Sequence, residues 1–318
     1  MKNNIKRLGL GCGGMSYRKN PQQSVKTIHK ALDEGICLFN TGDLYGTGES
    51  EMIVGEALKN VPRDKYFISV KYGMLLDPKG VMYGLDCNPF NIKAHLAYSM
   101  KRLGLDYIDL FQPARIDETV PIEETIGVLS ELVEQGYIGN IGLSMVDEET
   151  LRRADKVHHI HTVEMEYSVI DRDIENNIIP TAKELGINVV TFGLLSHRLI
   201  SEEVISGKGK TMLKFGRFSP ENLENNINVI KELKEIADKK NMTISQLAFA
   251  WALNKNSDIQ CLIGTTNTEN LQKIIDILDT KLTQEDITEI ENTISADKIL
   301  GRGMDGVRFR NGVMMFNN

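Results

Sequence analysis

Cysteine is scarce: four residues in 318, at Cys12, Cys37, Cys87 and Cys261, with no CxxC pair. That excludes a disulfide scaffold and points to reduced, mostly packing thiols in a cytoplasmic protein. Basic charge is not in excess either. Lys and Arg total 37 against 44 Asp and Glu, a net charge of −7, and no basic block occurs. Nucleic acid gripped through its phosphates is therefore not expected as a partner. No stretch approaches the roughly 18 uninterrupted apolar residues of a membrane span. The start, MKNNIKRLGLGCGG, is polar and then glycine-rich, without the apolar segment of a secretory signal. No Pro/Ser linker or low-complexity stretch divides the chain, so residues 1–318 are expected to form one domain. The remaining composition, 41% hydrophobic and 25% charged, is globular and excludes disorder.

Short apolar runs alternate with helical patterns from end to end. Strands are expected at Leu8–Gly11, Cys37–Asn40, Tyr66–Lys71, Tyr107–Phe111, Ile138–Leu143, Thr162–Met165, Ile187–Phe192 and Gln260–Ile263. These eight runs are rich in Ile, Val, Leu and Phe and do not alternate with polar residues. Strands covered on both faces read that way. Amphipathic helices are expected between them, at Ser24–Glu34, Asn91–Leu103, Ile122–Gln135, Asp147–Ala154 and Asn176–Leu185. Asp147 supplies an N-cap, and Gly136 and Gly186 supply C-terminal stops. Eight strand-then-helix steps favour an α/β fold of the (β/α)8, or TIM-barrel, type over an open sheet. Residues 193–259 form a long insertion after the seventh strand, with two more helical patterns at Glu221–Lys239 and Ile244–Leu253.

Gly9-Leu10-Gly11-Cys12-Gly13-Gly14 matches GxGxxG, the dinucleotide fingerprint, in the wrong context. A fingerprint opens a helix and is followed some 20 residues on by a ribose-binding acid at a strand end. Here a loop follows, and Asp33 sits inside a helix. The glycines read instead as a strand end that something approaches closely.

Polar groups at strand C-termini carry more weight. Asn40 ends strand two, Lys71 ends strand three, Ser144 follows strand five, Glu164 lies in strand six, and Gly264-Thr265-Thr266 follow strand eight. In a barrel all of these converge on one mouth, where barrel enzymes carry their chemistry. Tyr45, just after strand two, and Lys71 make a chemical pair. A buried ammonium beside a phenol stabilises the phenolate, so the phenol can protonate a developing alkoxide, as carbonyl reduction requires.

The run FNTGDLYGTGESEMIVGEAL resembles the aldo-keto reductase signature, and FISVKYG resembles the segment bearing its catalytic Lys. SMKRLGLDYIDLFQ, GYIGNIGLS, EMEYSVIDRDIENNIIPTAKELGINVVTFGLLS and IGTTNTENLQ resemble further blocks, in the family's order. The FNTGD and PAR segments are similar to a bacterial branch that also resembles pyridoxal reductases. The resemblance implies a barrel that binds NADPH, with NADH the alternative, and transfers hydride to a small aldehyde or ketone. It implies Tyr45 as general acid with Lys71 as its partner, positioned by Asn40. Ser144 and Glu164 fall where the family holds the nicotinamide carboxamide. Phe192 falls at the stacking position, with Gly193, Leu194 and Leu195 along the pyrophosphate. Gly264, Thr266, Asn267 and Asn270 fall on the adenosine loop, and Cys12 and Gly13 lie near the nicotinamide ribose. Arg217, Lys208, Lys210 and Lys214 are candidates for a 2′-phosphate.

Two positions depart from the family pattern: its Asp is Asn40 here, and its active-site His is Ala114. Asn40 can hydrogen-bond Lys71 without neutralising it, so the expectation is an uncompensated ammonium. Asp43 is the nearest replacement carboxylate, and Arg115 the nearest replacement donor. These departures support a rival reading, a nicotinamide-cofactor-binding regulator with little turnover. A barrel lyase using Lys71 as a Schiff-base nucleophile is a third. His158, His159 and His161 precede strand six, at the barrel bottom, and read as a surface loop rather than a metal site. Met304, Arg308, Met314 and Phe316 lie in a tail expected to shape the substrate pocket or to pack against the barrel or a neighbouring subunit. Oligomeric state is left open by the sequence.

Overall fold

The computed structural model describes residues 4–17, 20–211, 213–303, 307–310 and 313–316, the last two stretches through their backbone. Eight parallel strands close into a barrel in chain order: β1 (Leu8–Gly11), β2 (Leu38–Gly42), β3 (Phe67–Tyr72), β6 (Ile108–Pro113), β7 (Ile138–Ser144), β8 (Thr162–Glu166), β9 (Asn188–Phe192) and β10 (Ile259–Gly264). β10 pairs back onto β1, with Leu10 opposite Ile263. The eight expected strands are all present: β1 has the expected bounds, and no other end differs by more than two residues. An antiparallel hairpin, β4 (Met74–Leu76) and β5 (Met82–Leu85), follows β3 at the mouth. A second one, β11 (Val307–Arg310) and β12 (Val313–Phe316), closes the chain and runs beside β5. Arg308 falls in β11, and Met314 and Phe316 fall in β12, whereas Met304 lies outside the described residues.

Helices α1 (Pro21–Asp33), α2 (Glu49–Leu58), α3 (Pro89–Leu103), α4 (Ile122–Glu134), α5 (Glu148–Val157) and α6 (Ile178–Leu185) cover the outside. The insertion after β9 holds α7 (Glu202–Ile205), α8 (Pro220–Lys239) and α9 (Ile244–Lys255), and α10 (Thr268–Asp276) and α11 (Gln284–Thr293) follow β10. Local chemistry accounts for the ends. The Asn20 side chain accepts from Gln23 N at 3.0 Å to cap α1, and Asp147 accepts from Thr150 N at 2.8 Å to cap α5. Gly186 adopts φ +72° where α6 stops. Among the described residues no helix is long and apolar enough to cross a membrane.

Each strand has two different faces. Leu10, Phe39, Ile68, Val70, Phe111, Ile141, Leu143 and Val163 are fully buried beneath the helices, each worth about 1.5–3 kcal/mol relative to exposure. The opposite faces point into the barrel. Toward its bottom Leu38, Val190 and Leu262 form a separate apolar plug, with Phe67 and Phe192 packed on it. Gly9 makes room for that plug, since a Cβ there would stand 2.7 Å from Leu262 Cδ2 and 2.8 Å from Leu38 Cδ2. The first glycine of the GxGxxG run is thus a packing requirement inside a barrel. α1 begins at Pro21, separated by a loop from β1, so the run opens no helix.

One ionic cluster ties the loop after β2 to α3. Asp43 Oδ2 accepts from Gly73 N at 2.9 Å and lies 3.4 Å from His95 Nδ1. His95 Nε2 lies 3.3 Å from Asp86 Oδ2, and the ring sits beside Tyr72. Burial lowers the imidazole pKa, but the bonds to Asp43 and Asp86 and their charges outweigh it, and the net shift is upward. A raised folded-state pKa stabilises the protein fully below the unfolded value near 6.5, and that stabilisation fades as pH climbs through the folded value.

Two predictions follow from this packing. Relative to His95→Gln, the wild type should lose melting temperature as pH rises from ~6 to ~9; parallel melting curves across that range would remove the cluster from the stability account. Gly55 of α2 faces the Leu103 carbonyl at the end of α3, so an added Cβ would overlap backbone, whereas Gly127 of α4 has nothing within 4 Å of its Cβ position. In urea titrations Gly55→Ala should cost about 1–3 kcal/mol, and Gly127→Ala should add about 0.5–1 kcal/mol.

Candidate active site

Above the apolar plug, the interior turns polar in one layer. Asn40 of β2, Ser69 and Lys71 of β3, Gln112 of β6 and Glu164 of β8 are all buried and meet across the barrel. Lys71 Nζ donates to Glu164 Oε1 at 2.6 Å and to Asn40 Oδ1 at 2.5 Å. Asn40 Nδ2 and Gln112 Nε2 each donate to Glu164 Oε2 at 2.7 Å, and each also donates to Ser69 Oγ at 3.1 Å. Burial depresses the Lys71 pKa, yet the Glu164 charge, the Tyr45 phenol and the hydrogen bonds to both more than offset it. The side chain is therefore an ammonium at neutral pH. Removing one partner from a buried pair of this kind typically costs about 3–5 kcal/mol.

Two expectations change here. Lys71 is not uncompensated, because Glu164 neutralises it from the far side of the barrel. Glu164, expected to take a nicotinamide carboxamide, has both oxygens engaged by Lys71, Asn40 and Gln112. The Asp43 carboxylate faces His95 and Gly73 N and forms no ion pair with Lys71, although its backbone N–H donates to Lys71 O at 3.0 Å. The pairing across 93 positions exists only because barrel closure brings β8 opposite β3.

Tyr45 sits on the loop between β2 and α2, partly exposed, with Lys71 Nζ 5.4 Å from its ring centre. The ring lies against Gly13, where a Cβ would stand 2.9 Å from Cε1. Any larger residue at position 13 would displace the phenol. Thr41 Oγ1 and Ser50 Oγ are 2.8 Å apart, and Ser50 Oγ donates to Cys12 O at 2.9 Å, which joins the ends of β1 and β2 to α2 beneath this loop. Cys12 N donates to Asn40 O at 2.8 Å, and burial pushes its thiol up to about 12 despite the nearby Lys71 charge. Cys12 is thus a packed thiol.

The other sequence candidates surround this layer. Ser144 is opposite Glu164 in the β7–β8 register, and its fully buried Oγ has no partner among the described residues. Phe192 ends β9, followed by Gly193 at φ +75°, where a Cβ would stand 3.1 Å from Glu166 Cγ, then buried Leu194 and partly buried Leu195. Gly264 is exposed at the end of β10 and a Cβ there would meet nothing within 4 Å. Thr266 follows it, 3.7 Å from the Cβ position of Gly14. Asn267 caps α10, accepting from Glu269 N at 2.7 Å and Asn270 N at 3.0 Å, and Asn270 is exposed on the first turn. A dinucleotide fits this set: a buried hydroxyl awaiting a partner, a glycine edge open to close approach, and a helix N-terminus suited to phosphate. Arg217 does not belong with them. It is buried, 3.0 Å from Asp171 Oδ2, and also donates to Ile170 O, so its charge is already spent. Lys208, Lys210 and Lys214 carry no ion pair among the described residues, with Lys208, Lys210 and Lys214 all exposed on the insertion.

Sequence reasoning did not single out several groups. Gln112 completes the layer beneath Glu164. Ser196, His197 and Arg198 run left-handed at φ +41°, +48° and +77°, a backbone that costs about 1–3 kcal/mol per residue. His197 Nε2 is held 3.1 Å from Glu166 Oε1. A cavity of about 610 Å³ opens at the mouth, lined by Leu75, Leu85, Arg115, Met145, Met165 and Glu166 among others. Arg115 is the one cationic side chain among the described residues lining it. Burial lowers its pKa, opposed by the Tyr45, Glu166 and Glu164 charges, and its Nη1 donates to Ala114 O at 2.7 Å. Arg115 is the replacement donor named from the sequence, and the structure puts it in the wall of this cavity, directly after β6. His158, His159 and His161 lie before β8, and each has a separate partner: His159 O, Asp155 and Thr162 Oγ1.

The sequence profile of the aldo/keto reductase family matches residues 7–295. A probable aldo-keto reductase 1 of Glycine max is 35% identical, covering 98% of this chain and 91% of its own length. Among solved structures, a glycerol dehydrogenase from Gluconobacter oxydans superposes with a TM-score of 0.78 at 27% identity, covering 91% of each chain. A thermostable aldo-keto reductase solved with the inhibitor epalrestat gives 0.72 at 25% identity, covering 90% of this chain and 94% of its own. A closed barrel with this polar layer and these likenesses assign the chain: it belongs to the aldo/keto reductase family, oxidoreductases that reduce carbonyl compounds with a nicotinamide cofactor.

Proposed function

We propose that this protein reduces a small aldehyde or ketone with NADPH, using Tyr45 as proton donor. One observation carries the reading: a buried, charge-compensated ammonium held 5.4 Å from the centre of a partly exposed phenol ring. The nicotinamide cofactor, when bound, supplies the hydride. The protein's own groups do the rest. The Tyr45 hydroxyl donates to the carbonyl oxygen and passes its proton to the alkoxide that develops there. Lys71 stabilises the phenolate that remains, and the network through Asn40 and Glu164 keeps its ammonium in place. Ala114 offers a methyl group and its backbone N–H is used by Tyr72 O at 2.8 Å, so the second donor to the oxygen is sought in Arg115.

For the cofactor, Ser144 would hold the carboxamide, Phe192 the ring face, and Gly193 to Leu195 the pyrophosphate. Gly264, Thr266, Asn267 and Asn270 would line the adenosine. Lys208, Lys210 and Lys214 are the cations for a 2′-phosphate and support NADPH over NADH. The FNTGD and PAR segments support a place in the bacterial branch similar to pyridoxal reductases, so pyridoxal belongs in the substrate panel. The cytoplasm suits a chain whose Cys12, Cys87 and Cys261 are free and buried.

Purified protein should oxidise NADPH in the presence of at least one member of a panel of aldehydes, ketones and pyridoxal. Tyr45→Phe should keep its NADPH affinity, read by quenching of Trp251 fluorescence, and lose turnover by at least ~100-fold. Tight NADPH binding by the wild type without any oxidation would overturn the proposal in favour of a redox-reading regulator.

A further inference from the structure

The hydrogen-bond polarity of the buried layer singles out Glu164. An ammonium and two amide NH2 groups point at its carboxylate from three sides, Lys71 at 2.6 Å and Asn40 and Gln112 at 2.7 Å. All three are donors, so only an acceptor with two anionic oxygens satisfies them together. Glu164 is almost completely buried, and no other carboxylate lies within 4.0 Å of Lys71 Nζ among the described residues. We propose that Glu164 is the counter-ion and positioning residue of Lys71, acting on proton transfer through the lysine, and that it is not a contact for the cofactor. This rests on the reading of Tyr45 and Lys71 given above.

The same geometry says where the charge could be moved. Asn40 Oδ1 already accepts from Lys71 at 2.5 Å, and Asn40 Nδ2 faces both Ser69 Oγ and Glu164 Oε2. With Asp at 40 and Gln at 164, the contacts of position 40 with Lys71, Ser69 and position 164, and that of Lys71 with position 164, each keep a donor facing an acceptor. The aspartate accepts from Lys71, from the Ser69 hydroxyl and from the new glutamine amide. Gln112 Oε1 has no partner in the present arrangement among the described residues, so its amide can turn over and accept from the new glutamine in exchange for its contact with Ser69 Oγ. Glu164→Gln alone has no such solution. It leaves Lys71 without a carboxylate, and its NH2 must point either at the ammonium or at the Asn40 amide donor, whose orientation Lys71 fixes. A carboxylate on either β2 or β8 serves the lysine, but the two positions are coupled through it.

The test compares wild type, Glu164→Gln, and the double variant Asn40→Asp/Glu164→Gln. Three quantities are measured on each: melting temperature without ligands, NADPH affinity by fluorescence, and kcat across pH. Glu164→Gln should melt lower and lose at least ~10-fold in kcat, while its NADPH Kd stays within ~3-fold of wild type. The double variant should regain most of the melting temperature and of kcat. Weakened NADPH binding with kcat preserved at saturating cofactor would make Glu164 a cofactor contact and overturn the proposal. A double variant no better than Glu164→Gln would overturn it too. If Glu164→Gln does not fold, a folded double variant supports the counter-ion role and an unfolded one refutes it. The melting temperatures need no substrate, so they decide the charge relocation even if the wild type reduces no carbonyl and the reductase reading fails.

Discussion

A single buried ammonium organises the interior of this barrel. Lys71 is almost wholly removed from water, and a charge there persists only if the surrounding groups replace its hydration. The polar layer does so by drawing on four strands: β2 gives Asn40, β3 gives Ser69, β6 gives Gln112 and β8 gives Glu164. These strands could have filled the space with Leu or Val, as they do one layer lower around Leu38, Val190 and Leu262. The change from apolar plug to ionic layer marks where packing gives way to chemistry along the barrel axis.

The loop bearing Tyr45 is held from several sides, which matters because a phenol must sit within about an ångström of its working position. Gly13 leaves space for the ring, Ser50 ties α2 to the end of β1, and Asp43 bonds to Gly73 N and faces His95 on α3. The elements beneath the loop are deeply buried, so the proposed proton donor sits on a loop that is anchored to a rigid base. The left-handed run at Ser196–Arg198, held through His197 and Glu166, shows a similar strategy across the mouth.

Much of this was legible in the residues themselves. The eight apolar runs marked the barrel strands because parallel strands are covered on both faces and need no alternation. Capping by Asp147 and termination at Gly186 followed from side-chain chemistry within a few positions. Helix α2 was passed over because in ESEMIVGEAL the apolar residues Met52, Ile53 and Val54 run consecutively and a glycine follows, which gives little one-sided helical pattern. The hairpins β4–β5 and β11–β12 were passed over although their connections carry turn residues, Asp77-Pro78-Lys79-Gly80 in the first and Asn311-Gly312 in the second, because the short flanking runs did not fit the strand-then-helix repeat. Arg217 looked like a free cation on a long insertion, and its burial against Asp171 depends on how that insertion folds back.

The sequence by itself determined the order of strands and helices, the polar residues at strand ends, and the pairing of a phenol with an amine, because all of these rest on local periodicity and on residue chemistry. Only the tertiary structure decided which carboxylate neutralises Lys71, that Ser144 Oγ is left without a partner among the described residues, and that Arg115 lines the cavity at the mouth. The reason is geometric. Closing eight strands into a barrel turns residues far apart in the chain into neighbours across its axis, and no spacing along the chain records that distance.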